Sequence, residues 1–274
     1  VSRAIRHHQR TFTQTELAAA LHVVLRIGVL VLRSGAASFR TQEVMTRCAG
    51  ALGIEQLEAY VTPTGIIASA YSSGEHRTQI MQVRGLAVDM NRVIALELLS
   101  RNLPLGIQPA ELHKRIDAIE QQGLLYPRWF VAIMVGLACG AFSVIIGGSA
   151  LEFAAAFGGA AVAQTLRMAM IRRHFSAVPI VVICAAVAAA VCYGLLRIFA
   201  PLYALLGVQA SLQNGVIASV LLLVPGVPLI TALLDLVHLD LVSGLSRGIY
   251  AVLILVCIAI GMLAILLLTG FSVV

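Results

Sequence analysis

The sequence predicts an α+β domain followed by an all-α membrane bundle of five transmembrane helices, the fourth broken at Pro225-Gly226-Val227-Pro228. Three observations carry this reading. The chain is 59% hydrophobic, only 12% charged, and has a mean hydropathy of +0.94, whereas a soluble domain carries about a quarter charged residues. Its charges gather at one end: residues 1–128 hold 14 of the 19 basic and 10 of the 13 acidic residues. Beyond them come five apolar runs that reach the ~20 residues a ~30 Å hydrocarbon layer demands, the fourth being longer, as a tilted or broken helix would be. The boundary falls at Tyr126-Pro127-Arg128-Trp129, dividing a first domain, 1–126, from a transmembrane domain, 127–274.

In the first domain, residues 14–33 read as a helix with apolar Leu17, Leu21, Val24, Leu25 and Ile27. His22 and Arg26 near its middle argue for a core helix rather than a span, since a central Arg costs roughly 2.5–3.5 kcal/mol on insertion scales. Ser34-Gly35 ends it, and a second helix over 39–52 closes at Gly53. Alternating or β-branched stretches follow at 58–62, 65–71 and 77–83, separated by turn residues at Pro63-Thr64-Gly65 and Ser72-Ser73-Gly74. They predict a three-stranded antiparallel sheet. Two further helices, 88–101 and 108–122, complete the unit, and about 125 residues suffice for one modest core. The first ten residues are basic. The apolar run behind them is interrupted by His22, Arg26 and Arg33 and lacks a small-residue cleavage site, so no cleavable signal is expected and the first domain should stay in the cytosol.

The expected spans run over 129–147, 150–171, 177–199, 209–236 and 248–271. Arg128, Arg172, Arg173 and Arg247 fall on one side, with Arg197 near the other. By the positive-inside rule the first domain is cytoplasmic and the C-terminus lies outside. Gly136 and Gly140 form one G-x-x-x-G and Gly244 and Gly248 another. Such small residues let helices approach closely, within the chain, against a partner or against a second copy.

Composition and motifs exclude several function classes. The net charge of +6 comes from 18 arginines and one lysine, Lys114, scattered rather than clustered. Without a basic stripe interleaved with aromatics, no nucleic acid is expected. Five cysteines, Cys48, Cys139, Cys184, Cys192 and Cys257, form no C-x-x-C and read as small hydrophobes rather than metal ligands. The chain has no Walker loop, G-x-G-x-x-G or H-E-x-x-H, so neither a nucleotide, a metal nor another cofactor is expected. Ser34-Gly35 with Arg40 and Asp89 has no spacing that supports a hydrolase site. A membrane-anchored cytosolic enzyme and a scaffold protein remain as rival classes to a transporter.

The broken fourth span carries the functional expectation. Each proline deletes a backbone donor, and hydrocarbon holds no water to satisfy the freed groups. Such breaks are tolerated where protein packs on them or where they line a wet cavity, and transporters place binding sites there. Freed N–H groups suit a carboxylate, and freed carbonyls a cation or ammonium. The expected substrate pathway is therefore Asn214, Pro225, Gly226, Pro228, Thr231, Asp235 and Arg247. Ser211, Gln213 and Asn214 open the span, and Thr231 and Asp235, four apart, stack on one face beyond the break. Asp235 is expected to pair with Arg247, either as a fixed salt bridge or as a gate in which Asp235 meets an ammonium or a proton. Glu152, Gln164 and Arg167 are accessory candidates. Glu152 lies near a span end, at an interface or with a role, and Gln164 and Arg167 share one helix face.

These residues resemble the threonine/serine exporter family, in particular its shorter branch with only the first of two family domains. The resemblance rests on Ser34-Gly35-Ala36 with Arg40, Ala51-Leu52-Gly53, Thr62-Pro63-Thr64-Gly65, Tyr126-Pro127-Arg128-Trp129 and Val135-Gly136-Leu137. It continues in Leu223-Val224-Pro225-Gly226-Val227-Pro228-Leu229, then Asp235, Gly244 and Arg247. It implies a bacterial inner-membrane exporter of small polar metabolites, either amino acids such as threonine and serine or C4-dicarboxylates such as succinate. It also implies a separate membrane subunit of about five or fewer helices as partner. Arg167 and Arg247 suit a dicarboxylate, whereas Asp235 suits an ammonium. Coupling to the proton gradient is the expectation attached to Asp235.

Overall fold

The computed structural model describes residues 12–85, 87–123, 125–206 and 212–269. The basic first ten residues, Ser211, and the expected limits of the fourth and fifth spans at 209 and 271 lie outside the described residues. The chain forms two compact units, one of residues 1–123 with 226–250, the other of 124–225 with 251–274. The segment 226–250, placed by the sequence in the membrane part, thus belongs with the first unit.

In the first unit, α1 (Gln14–Arg33) starts at a capping box in which Thr13 accepts from the Glu16 backbone while Glu16 reaches back to the Thr13 N–H. The element α2 (Ser38–Leu52) ends at Gly53, whose φ of 89° is the left-handed geometry glycine tolerates. Strands β1 (Gln56–Thr62), β2 (Gly65–Ser72) and β3 (Glu75–Gln82) form an antiparallel sheet in the order β1-β2-β3, with Ala59 opposite Ala68 and Ala68 opposite Gln79. Ser73 and Gly74, at φ 54° and 82°, make the two-residue turn into β3 that matches the twist of paired strands. Along β2, Ile66, Ala68, Ala70 and Ser72 are buried, while Ile67, Ser69 and Tyr71 face the other side. Helices α3 (Met90–Arg101) and α4 (Pro109–Glu120) complete the α+β part.

By length and apolarity alone α1 is one of five helices able to cross a membrane. Its surroundings make it a core helix. Of its most apolar window 61% is buried inside the protein, against 28% to 39% in the other four. Leu17, Leu21, Leu25, Ile27 and Leu32 are fully buried in a core shared with α2, the sheet and α4. Arg26 finds its carboxylates on α4, Asp117 at 2.5 Å and Glu120 at 2.7 Å.

The second unit holds α5 (Arg128–Ile145), α6 (Ala150–Arg172), α7 (Ala177–Leu206) and α8 (Leu212–Val220), the last continued by a 3₁₀ turn at Leu221–Leu223. After Val224 the chain resumes as α9 (Gly226–Val237) and α10 (Leu241–Thr269), which lead through the first unit and back into the second. The helix α10 begins seven residues before the expected 248, because Ser243 and Arg247 have partners that remove any need for a loop. At 29 residues it spans about 43 Å. Its Val252, Val256, Ile260, Leu263 and Leu267 are exposed, the surface a lipid phase accommodates.

Small residues set the helix approach. A Cβ on Gly136 would come within 2.9 Å of the Phe157 carbonyl oxygen, and one on Gly140 within 3.0 Å of that of Phe153. The first G-x-x-x-G therefore seats α6 against α5. In the second, Gly244 packs on α9 at Leu236 and Ala232, while Gly248 meets nothing within 4 Å.

Two outcomes follow from this packing. At Gly159 an added Cβ would lie 2.7 Å from the Ala188 carbonyl oxygen, a backbone atom unable to step aside. Gly159→Ala should lower stability by about 1–3 kcal/mol, whereas Gly194→Ala, with nothing within 4 Å, should hold or raise the thermal midpoint of the detergent-purified protein. Burial pushes the Cys48 thiol up to about 12. Since only the thiolate reacts, native-state alkylation of Cys48 should run roughly a thousandfold slower than that of a free cysteine, and reach the free rate on unfolding.

Candidate functional site

The site begins with a helix that cannot cap itself. Past Arg33 the chain turns at Gly35, with φ of 97°, and Ala37 enters α2 in extended conformation with no capping side chain. Alanine offers no oxygen to the exposed N–H groups of a first helical turn. The acceptor comes from α9: Asp235 Oδ1 takes the Ser38 backbone N–H at 2.8 Å, and Oδ2 takes the Ser38 hydroxyl at 3.1 Å. A carboxylate there also meets the positive end of the α2 dipole.

Arg247 of α10 completes the arrangement. Its Nε lies 3.1 Å from Asp235 Oδ2, its Nη2 donates to the Ala36 carbonyl at 2.9 Å, and its Nη1 donates to Thr231 Oγ1 at 3.3 Å. Asp235 is 0% and Arg247 5% exposed. Removing two such charges from water costs several kcal/mol per ion, and their attraction compensates only when further hydrogen bonds complete the geometry. Here Ser38, Ala36 and Thr231 supply them. One turn earlier on α10, Ser243 Oγ donates to the Val61 carbonyl of β1 at 2.8 Å.

The helix break has one site rather than two. Val224 leaves the helix at φ −58°, ψ 126°, the extended geometry imposed on a residue before proline. Pro228 lies in the first turn of α9, where its missing N–H removes no helical bond. Pro225 is buried and Gly226 exposed. Thr231 Oγ1 turns back to the Val227 and Pro228 carbonyls at 2.9 and 3.2 Å, so it already answers groups of that first turn.

Of the expected residues, the structure brings Thr231, Asp235 and Arg247 together in the first unit. The others with side-chain partners stand in the second unit. Asn214 donates from Nδ2 to the Ile146 carbonyl at 3.2 Å. Glu152, near the start of α6, is 1% exposed and caps that helix by accepting from the Ser149 N–H. Gln164 has a buried Oε1 without a hydrogen-bond partner among the described residues. Arg167 sits within electrostatic reach of Cys184, and among the described residues no acid pairs with it.

Sequence reasoning overlooked Ser38, whose backbone and side chain both hold Asp235, and the Val61 carbonyl. The one available signal was Ala37, an uncapping residue where a helix entrance needs an oxygen. As a chemical device the cluster holds a carboxylate, by one N–H, one hydroxyl and one guanidinium. Among the described residues no group of His, Cys, Asp and Glu is placed to hold a metal ion.

The chain matches the family described as "Putative threonine/serine exporter" over residues 22–269. It is 29% identical over 261 residues to the "Probable succinate transporter subunit YjjP" of Escherichia coli (strain K12), covering 94% of this chain and 98% of that protein. A protein of the same description from Klebsiella aerogenes is 27% identical over 251 residues, covering 90% of this chain and 93% of that one. No solved structure matches the chain. With the family match running from α1 through to the end of α10, the chain belongs to the threonine/serine exporter family of membrane transport proteins.

Proposed function

We propose that this chain is one subunit of an inner-membrane exporter of small carboxylate-bearing metabolites, working with a separate small membrane subunit. The substrate is a C4-dicarboxylate such as succinate, or an amino acid such as threonine or serine. The relatives named as succinate transporter subunits favour the dicarboxylate, because they align over nearly their whole length. The word subunit in their names supports the partner. The first unit faces the cytoplasm and the C-terminus lies outside, a reading that rests on Arg128, Arg172 and Arg173.

The observation that carries the proposal is the carboxylate of Asp235 held by Ser38 and Arg247 at the entrance of α2. A substrate carboxylate presents the same two oxygens. It can take the Ser38 N–H, the Ser38 hydroxyl and the Arg247 guanidinium when Asp235 withdraws. Asp235 then serves as an internal stand-in that keeps the site closed while empty. Gly226 and Pro228 of the broken segment, with Thr231 next to them, belong to the pathway with the gate.

Efflux of labelled succinate and labelled threonine from cells tests the reading, with the chain deleted, restored, or replaced by variants at equal expression. Asp235→Asn and Arg247→Gln should each reduce efflux about tenfold or more, equivalent to ~1.4 kcal/mol of lost discrimination. Stability separates folding from transport. Each single change leaves the other charge buried and unmatched, a loss of about 3–5 kcal/mol. The double variant removes both charges and should lose less than the two singles summed, while still failing to export. Unchanged efflux in all three removes the pair from the mechanism.

A further inference from the structure

Among the described residues two buried carboxylates, Asp235 of the first unit and Glu152 of the second, are in opposite conditions. Asp235 has both oxygens engaged and a guanidinium beside it. Glu152, 1% exposed at the third position of α6, uses only one among the described residues. Its Oε2 accepts from the Ser149 N–H, and its own N–H faces Ser149 Oγ at 3.5 Å. Its Oε1 is buried and has no hydrogen-bond partner among the described residues. Glutamine also fills this position of a capping box, and the α6 dipole favours a negative charge there, but neither accounts for the second oxygen.

The groups facing Glu152 are small or neutral. From α8, Gly215 approaches so closely that an added Cβ would sit 3.7 Å from Glu152 Cβ and 3.5 Å from Cys192 Sγ. From α7 come the Cys192 thiol, in electrostatic reach of the carboxylate and next to Ser219, and Leu196. From α5, Ser143 is occupied with the Gly140 carbonyl at 2.7 Å, and its own carbonyl takes the Gly148 N–H at 2.8 Å. Arg197, the charged residue on that end of α7, is exposed and turned to Tyr193, donating to its hydroxyl at 2.8 Å. Among the described residues no basic side chain pairs with Glu152. An acid lodged in a helical bundle without a counter-charge marks an ion or proton route. The missing partner of Oε1 is matched by the smallest cation: a proton on that oxygen neutralises the group and turns it into a donor.

We propose that Glu152 is a proton-binding site of the membrane bundle, and that its protonation and release are coupled to substrate export. The step is the gain and loss of one proton at the carboxylate, with no other bond made or broken. The proposal rests on the transport reading above, and it moves the expected proton carrier from Asp235 to Glu152.

Everted membrane vesicles from the source cells, with the chain deleted and restored as parent, Glu152→Gln or Glu152→Asp, provide the test. Uptake of labelled succinate and labelled threonine is measured with and without an imposed pH gradient, beside exchange of labelled for unlabelled substrate without one. The parent should respond to the gradient. Glu152→Gln, which keeps the capping box, should keep exchange and the parental thermal midpoint but lose the gradient response. Glu152→Asp, which keeps a carboxyl, should recover part of it. A Glu152→Gln flux as gradient-dependent as the parent's overturns the proposal and leaves the transport reading standing. Loss of exchange together with gradient response in a stable Glu152→Gln protein also overturns it, and assigns the residue to the substrate path. A parent that moves neither substrate overturns both readings.

Discussion

A buried helix entrance without a capping side chain has to borrow an acceptor, and that need organises the first unit. The Ser38 N–H and hydroxyl require an oxygen that Ala37 cannot give, and Asp235 provides it from a segment far along the chain. Once Asp235 is buried it requires a cation, and Arg247 answers. Once Arg247 is buried its remaining donors require Ala36 and Thr231. Each member is present because the previous one could not stay unpaired. The outcome is that α9 and the start of α10 are joined to an α+β core by polar contacts rather than by apolar area alone.

The membrane helices obey the same rule with different materials. Backbone groups are satisfied within helices, and Val224 is where that ladder is interrupted. Close approach comes from glycine and alanine, at Gly136, Gly140 and Gly159, because between helices in lipid the apolar driving force is weak and contact distance decides. A carboxylate held by the Ser38 N–H and hydroxyl with a guanidinium beside it contrasts here with one that, among the described residues, holds the Ser149 N–H alone.

Much of the fold was legible from local pattern. The three strands showed in their alternation and in Ser73-Gly74, α1 in its apolar spacing, and the broken span in Pro225, Gly226 and Pro228. Arg26 correctly argued that α1 is a core helix, because a charge in a long apolar run needs carboxylates, which α4 supplies. The pairing of Asp235 with Arg247 was also legible, since Asp235 lies in the last turn of one helix and Arg247 within two turns of the start of the next. What escaped were relations with no local trace. Ser38 is 197 positions from Asp235, and no periodicity connects them. The early start of α10 was hidden because Ser243 and Arg247 look like loop residues until Val61 and Asp235 are seen beside them. Ser149-x-x-Glu152 announced a helix start, but a capping box says nothing of burial, so the interior position of Glu152 was invisible.

The reach of the Asp235 contact also bears on how the chain is made. Ribosomes add ~5–20 residues per second, so the 197 positions separating Ser38 from Asp235 correspond to a delay of roughly 10–40 s. During that interval the residues of the sheet and of α1 to α4 have been made, but not the segment that carries Asp235 to the entrance of α2. Helices α5 to α8 are therefore synthesised before the acceptor for Ser38 exists. A chain halted in this window has the Ser38 N–H and hydroxyl without the carboxylate that receives them in the finished protein.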